Sequence, residues 1–447
     1  MEKLSQQIVF GLVEALMVAM YLAAEPLFPD PAVYLNLGTG LLYAIGLVNL
    51  AVWKECRIIT LLLLVLTAYG TSAYIAFEYF NLLYPPFPFA DTIYQSTEMT
   101  IKGIFLTGLL LMLVPIRWGS WLKGCVDAFL IAVREMTLSN VLVLGGLMAM
   151  FGLINLYQCQ SIGWENILSG SRREYAAMIW ATRAHNYQLI AISLTIVIAV
   201  RAMVCPKRRE TLWLLIPALL LYWIPFSLVG ARKELMVILI IGIMIYLRLG
   251  WNKLPIYLVI LVMFLFPIIR DNQVAGDAGA AAKPGLAETF HEVILPQYIL
   301  FSAVQFPFTI DRTFLSASQM LVPAFLRMTP VEEVGAAFSA AALSDVSYGA
   351  FPVAEAYYYS RDFCIPVFAL LTVSLMLIIY SLSRVFPGYG LIGCAWMFVW
   401  GRSEYWVHFW WILYGGFLLW AFIALSIPAK KRVQTGESLK TGMIPAG

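Results

Sequence analysis

The sequence predicts an all-α, polytopic membrane protein, and two observations carry that prediction. Hydrophobic residues make up 61% of the 447-residue chain and charged residues only 12%, with a mean hydropathy of +0.82. A soluble domain carries roughly twice that charged fraction. Apolar runs of about 16 to 22 residues also recur along the chain, each long enough for a helix to cross a bilayer core. Backbone polar groups in lipid must pair within their own segment, so each run is read as a helix.

In order, the runs begin near Ile8, Tyr34, Ile58, Ile101, Leu138, Tyr187, Thr211, Glu234, Leu254, Phe363, Gly390 and Tyr405. The chain therefore divides into four parts. Residues 1–269 form about nine transmembrane helices with short loops. Residues 270–362 form a long extracytoplasmic loop with short or re-entrant helices, 363–428 the C-terminal transmembrane helices, and 429–447 a cytoplasmic tail. The first run holds Glu14 and is followed by Glu25-Pro26 with no small-residue cleavage site, so an uncleaved span is expected rather than a signal peptide. Glu14 itself is expected to reach the interface near Lys3 or pair there. Near 117–136, Trp118, Trp121, Leu122, Val126, Phe129, Leu130 and Val133 recur at helical spacing while Lys123, Asp127 and Arg134 fall away from most of them. That pattern predicts an amphipathic helix lying on the cytoplasmic leaflet.

Alternate loops, with both termini inside, carry 17 of the 29 Lys and Arg, which orients the chain by the positive-inside rule. In this arrangement Arg201 is a cytoplasmic loop cation. The net charge of +3 is too small to point to a nucleic-acid partner, and the bilayer is the partner that the composition implies. Six cysteines without a CxxC pair give no disulfide framework or zinc site, and a Cys159–Cys364 bridge is not expected. No HExxH, Walker-type glycine loop, GxSxG or DxD pair is present, and His185, His291 and His408 are far apart in the chain, so neither a metal nor a cofactor is expected.

Cations on the outer side are more informative. Lys102, Arg172, Arg173, Arg183, Arg232, Lys233, Arg270, Lys283, Arg312, Arg327, Arg361 and Arg402 fall there, and Arg, which predominates, presents a planar fork of donors suited to phosphate. Many such residues serve only as interface anchors or surface pairs. Arg232 and Arg402 stand apart because each lies in a very short turn between two spans, in GARKE from Gly230 and WGRSEYW from Trp400. They are expected to face an enclosed outer cavity with Arg312 and one of Arg172 or Arg173. Tyr357, Tyr358 and Tyr359 offer rings that could stack on sugars, although interfacial aromatics are common in any membrane protein.

Four stretches in the latter half resemble the bacterial O-antigen polymerases, which join lipid-linked oligosaccharide repeat units. GARKELMVILIIG from Gly230 resembles that family's Gly-x-Arg turn, and LVPAFLRMTP from Leu321 its Pro-bounded segment. FPVAEAYYYSRDFCIPVFALL from Phe351 is similar to its Ala-Glu-x-Tyr helix, and GRSEYWVHFWWILYGG from Gly401 to its final Arg-bearing turn. The first half of the chain matches in hydropathy alone. Many relatives have a glycine pair where this chain has RDFCIP from Arg361, and the related O-antigen ligases carry a histidine where it has Glu355.

The resemblance implies an enzyme, a glycosyltransferase of the bacterial inner membrane that acts at its outer face in surface polysaccharide or lipopolysaccharide synthesis. Its donor and acceptor would be undecaprenyl-pyrophosphate-linked glycans, with a chain-length regulator as a further partner. Arg232, Lys233, Arg402, Arg312, Arg172, Arg173 and Arg327 would stabilise the departing pyrophosphate, with Tyr358 against substrate. Glu355 would be the general base, with His291 and Asp345 as rivals and a structural ion pair as the alternative role for Glu355. Two other readings stay open: an O-antigen ligase-like or other lipid-linked glycosyltransferase, and a flippase or transporter for the same lipid-linked glycans.

Overall fold

A computed structural model describes residues 2–52, 57–80, 90–114, 116, 118–164, 188–205, 213, 223, 232–249, 294, 297–305, 319–322, 326, 351–386, 388–399 and 405–426. The architecture is all-α. Helices α1 to α4 are Glu2–Ala24, Pro31–Val52, Arg57–Phe80 and Ala90–Leu113; α5 to α8 are Trp118–Glu135, Leu138–Ile162, Gln188–Val204 and Arg232–Leu249. Then come α9 (Gln297–Gln305), α10 (Pro352–Ser360), α11 (Cys364–Ser383), α12 (Tyr389–Phe398) and α13 (Tyr405–Ser426). Six helical stretches among the described residues are long and apolar enough to cross a membrane: α2, α3, α4, α6, the run Pro352–Ser383 and α13. The chain is a multi-pass membrane protein. Apart from Trp213 and Trp223, the runs expected from Thr211 and Leu254 lie outside the described residues.

Two compact units divide the chain, one of Met1–Trp121, Gly285–Ile378 and Met397–Trp410, the other of Leu122–Pro284, Ile379–Trp396 and Trp411–Gly447. In the first, α2, α3 and α4 pack on one another and α1 lies against α2 and α4. Asp30 starts α2 by accepting the Ala32 N–H at 2.9 Å, with Pro31 at the first helical position, where its missing N–H costs nothing. Buried Thr67, Thr71, Thr100, Thr107 and Thr372 each donate their hydroxyl to the carbonyl four residues back. That local bond lets a hydroxyl face a helix neighbour in a water-poor interior. Glu14, expected at the interface, is instead buried, and its carboxylate has a side-chain hydrogen bond with Asn49 of α2. It thus faces a polar side chain on the adjacent helix within the bundle.

The start of α4 differs from the expected span. The apolar run begins near Ile101, yet the helix begins at Ala90, and eleven further residues rise about 16 Å. Their buried face is Thr92, Ile93, Ser96, Thr97 and Thr100. α4 packs there with α3 and with the short helices α9 and α10, which belong to the long polar stretch before Phe363. Two glycines permit this approach. A Cβ on Gly103 would lie 2.8 Å from the Phe368 ring, and one on Gly70 would collide with Thr100.

In the second unit, α7 packs on α6 and α8. Residues Leu122, Val126, Phe129, Leu130 and Val133 form the buried face of α5, while Lys123 and Arg134 are exposed, as the amphipathic spacing predicts. Arg201, expected in a loop, is buried in the last turn of α7 and is 1% exposed. Its Nη1 donates to the carbonyls of Val133 and Arg134 at 2.6 and 2.8 Å. Those carbonyls end α5 and have no acceptor role within the helix, so the cation meets the negative end of the α5 dipole. Helix α12 has only ten residues, about 15 Å of rise, whereas the run from Gly390 was expected to span the core. It follows Gly388, whose φ of +87° suits glycine, and lies against α13 through Gly416 on Tyr389 and the Trp396–Trp411 ring pair at 4.5 Å. Neither Cys159 nor Cys364 forms a disulfide, and both are buried.

Leucine in place of Gly103 should overpack the α4–Phe368 contact and cost about 1–3 kcal/mol, read as a lower Tm of the detergent-solubilised protein. The same change at Gly40, which has no neighbour within 4 Å of its would-be Cβ, should leave Tm unchanged.

Candidate functional site

Only part of the polar stretch 270–362 is described, and α10 is the described helix in it that bears Glu355. Pro352 occupies the first turn and fixes φ for helix entry, and Phe351 through Ala356 are all buried. Glu355 is completely buried. Its Oε2 accepts the backbone N–H of Tyr405 at 2.5 Å, across fifty residues of sequence. Tyr405 is the first residue of α13, so this N–H is one of the four that a helix leaves without an internal partner. The carboxylate thus caps α13, where an anion also meets the positive end of the helix dipole.

The ring of Tyr405 extends the connection. Its hydroxyl donates to the Phe368 carbonyl at 3.1 Å and lies 3.3 Å from Thr372 Oγ1, both on α11. Three helices, α10, α11 and α13, therefore meet through one carboxylate and one tyrosine. On the other side, Gln297 of α9 donates through Nε2 to Ser72 Oγ of α3 at 3.1 Å, and the Cys364 thiol faces the Met99 sulfur of α4 at 3.6 Å. The described ends of the polar stretch are thus packed on helices of the same unit.

At the C-terminal end of α10 the backbone turns at Arg361, the only non-glycine residue with positive φ among the described residues, at 45°. Its guanidinium lies 5.2 Å above the Tyr357 ring, and Nη1 makes a 3.4 Å contact with the Ala303 carbonyl in the last turn of α9. Tyr358 is half-buried and meets Tyr359 edge to face at 5.8 Å.

The remaining expected site residues divide into two groups. Arg232 and Lys233 are the first two residues of α8. His291, Arg172, Arg173, Arg312, Arg327 and Arg402, with Asp345, lie outside the described residues. Lys102, counted among the outer cations, is held by Glu25 at 2.5 Å and by Glu98 one helical turn away, so its charge is already matched. Sequence reasoning named Arg361 and the stretch around Tyr405 without connecting either to Glu355. The Tyr405 cap carries no motif because the acceptor is fifty residues away, while Arg361 was marked by its departure from the family's glycine pair.

No protein-family model, curated protein or solved structure matches this chain.

Removing the cap exposes its worth. Glu355→Ala leaves the Tyr405 N–H without its acceptor in a buried setting and should destabilise the protein by about 1–3 kcal/mol. Glu355→Gln retains an acceptor oxygen of the same reach and should recover most of that loss, as read by Tm in detergent.

Proposed function

We propose that the chain is a glycosyltransferase of the O-antigen polymerase type, which joins undecaprenyl-pyrophosphate-linked repeat units on the outer face of a bacterial inner membrane. The observation that carries this reading is the Glu355–Tyr405 hydrogen bond. It ties the Ala-Glu-x-Tyr helix to the span that follows the last Arg-bearing turn, two of the four stretches that carry the resemblance. Arg402 precedes Tyr405 by three residues, a tether that keeps the two Cα atoms within about 11 Å. In the proposed topology, about twelve spans leave both termini in the cytoplasm and residues 270–362 outside, so that α9 and α10 lie at the outer headgroups.

The reaction needs little covalent chemistry from the protein. An acceptor sugar hydroxyl attacks the anomeric carbon of the donor glycan, the new C–O bond forms, and the bond from that carbon to the pyrophosphate oxygen breaks. The hydroxyl proton passes to a base, and undecaprenyl pyrophosphate departs with the bonding pair. Arg402, Arg312 and Arg327 are the cations assigned here to that charge, since preorganised donors act strongly in a water-poor site. Arg232 and Lys233 are the further cations that the resemblance implies for anion binding.

Glu355 serves this site by positioning rather than as the base. A general base must come within hydrogen-bond reach of the proton it takes, whereas this carboxylate is completely buried and already accepts a backbone N–H. His291 is the base this reading assigns.

Glycan extracts of a deletion strain test the class: single-repeat glycans support a polymerase, free long polymer a ligase, and no outward glycan a flippase. Within the polymerase reading, Glu355→Gln should keep polymer formation within about tenfold of normal, while a base would lose at least ~100-fold. Arg402→Lys should retain part of the activity and Arg402→Ala almost none, because Lys keeps the charge and loses the fork.

A further inference from the structure

We propose that Arg361 is a lipid-phosphate-binding residue, whose guanidinium holds the pyrophosphate of the polyprenyl-linked substrate. The choice of pyrophosphate rests on the function proposed above; the oxyanion chemistry does not. Arg361 ends α10, six residues after Glu355, with φ 45° and ψ −105°, a conformation that side-chain-bearing residues avoid and glycine accepts. Strained backbone of this kind persists where its surroundings enforce it, and here they orient a cation. The guanidinium lies over the Tyr357 ring at 5.2 Å, and Nη1 points to the Ala303 carbonyl at 3.4 Å.

Those two contacts leave the Nε and Nη2 edge without a hydrogen bond among the described residues, on a side chain that is exposed. That edge carries two parallel N–H groups, the geometry that takes two oxygens of one phosphate. Asp362 is exposed beside it, and no ion pair joins the two. The level is also right for a lipid phosphate. Arg361 falls within the run Pro352–Ser383, three residues before its twenty-residue apolar part, α11, begins at Cys364, and Phe363 beside it is 71% exposed. An ordinary phospholipid headgroup offers similar oxygens, but a fixed fork on the helix that bears Glu355 favours the substrate's pyrophosphate.

Binding of farnesyl pyrophosphate to the full-length protein in phosphatidylcholine nanodiscs, read by quenching of its 14 tryptophans, tests the proposal. Wild type should bind, Arg361→Gln and Arg361→Gly should weaken binding by about tenfold or more, and Arg361→Lys should weaken it less. Arg361→Gly should keep or raise Tm, since glycine takes this φ without strain. Four results overturn the proposal: no binding by wild type; wild-type affinity in the Gln or Gly variant; equal competition by phosphatidylglycerol, which would make this a general headgroup contact; or loss of Tm together with binding in Arg361→Gly, which would make the arginine purely structural. The probe bears no sugar. Binding that behaves as expected in a protein whose deletion leaves polymer intact would therefore sink the polymerase reading and leave Arg361's role standing.

Discussion

Every helix that begins inside a water-poor protein must find acceptors for its first backbone N–H groups, and much of the first unit's organisation around α13 depends on how that demand is met. The first N–H of α13 bonds to the Glu355 carboxylate, fifty residues away in sequence. Water cannot replace that acceptor at a completely buried position. The acid therefore fixes α10 against α13, and the Tyr405 hydroxyl secures α11 to the same point through Phe368 and Thr372. A residue expected to do chemistry acts first as a joint, and the polar stretch before Phe363 is anchored by it.

The same constraint recurs at the other end of a helix in the second unit. There the terminal carbonyls of α5 accept from Nη1 of one guanidinium, Arg201, which meets the negative end of the α5 dipole while its Nε and Nη2 have no hydrogen-bond partner among the described residues. Between the ends, side chains solve the problem locally. Threonine hydroxyls return to their own helix, as at Thr71 and Thr372, and glycines such as Gly103 let neighbouring rings approach the backbone. Packing of small residues and satisfied polar groups replaces the hydrophobic drive that lipid removes.

What was legible in the sequence follows from which forces act locally. Hydropathy marked the long apolar helices, and amphipathic spacing marked α5 nearly to the residue, because period and length are properties of one segment. The outer turns of α4 escaped because Thr92, Ser96, Thr97 and Thr100 read as polar, yet they are buried against other helices rather than against lipid. α12 was overestimated because apolar residues around it continue past the point where the helix stops at Phe398. Glu14 was placed at the interface and Arg201 in a cytoplasmic loop, whereas each is buried beside a partner that no local pattern encodes. The Glu355–Tyr405 bond is the extreme case. Its two halves were singled out as separate motifs, and only the fold brings them to 2.5 Å.

The most direct test of this account is hydrogen–deuterium exchange at the Tyr405 amide, followed in the intact protein in nanodiscs. A capped and buried N–H should exchange slowly in wild type and in Glu355→Gln, and faster by orders of magnitude in Glu355→Ala, with the middle of α13 unchanged. Equal exchange at Tyr405 in wild type and Glu355→Ala would contradict the account, because the carboxylate would then not be what holds the start of α13.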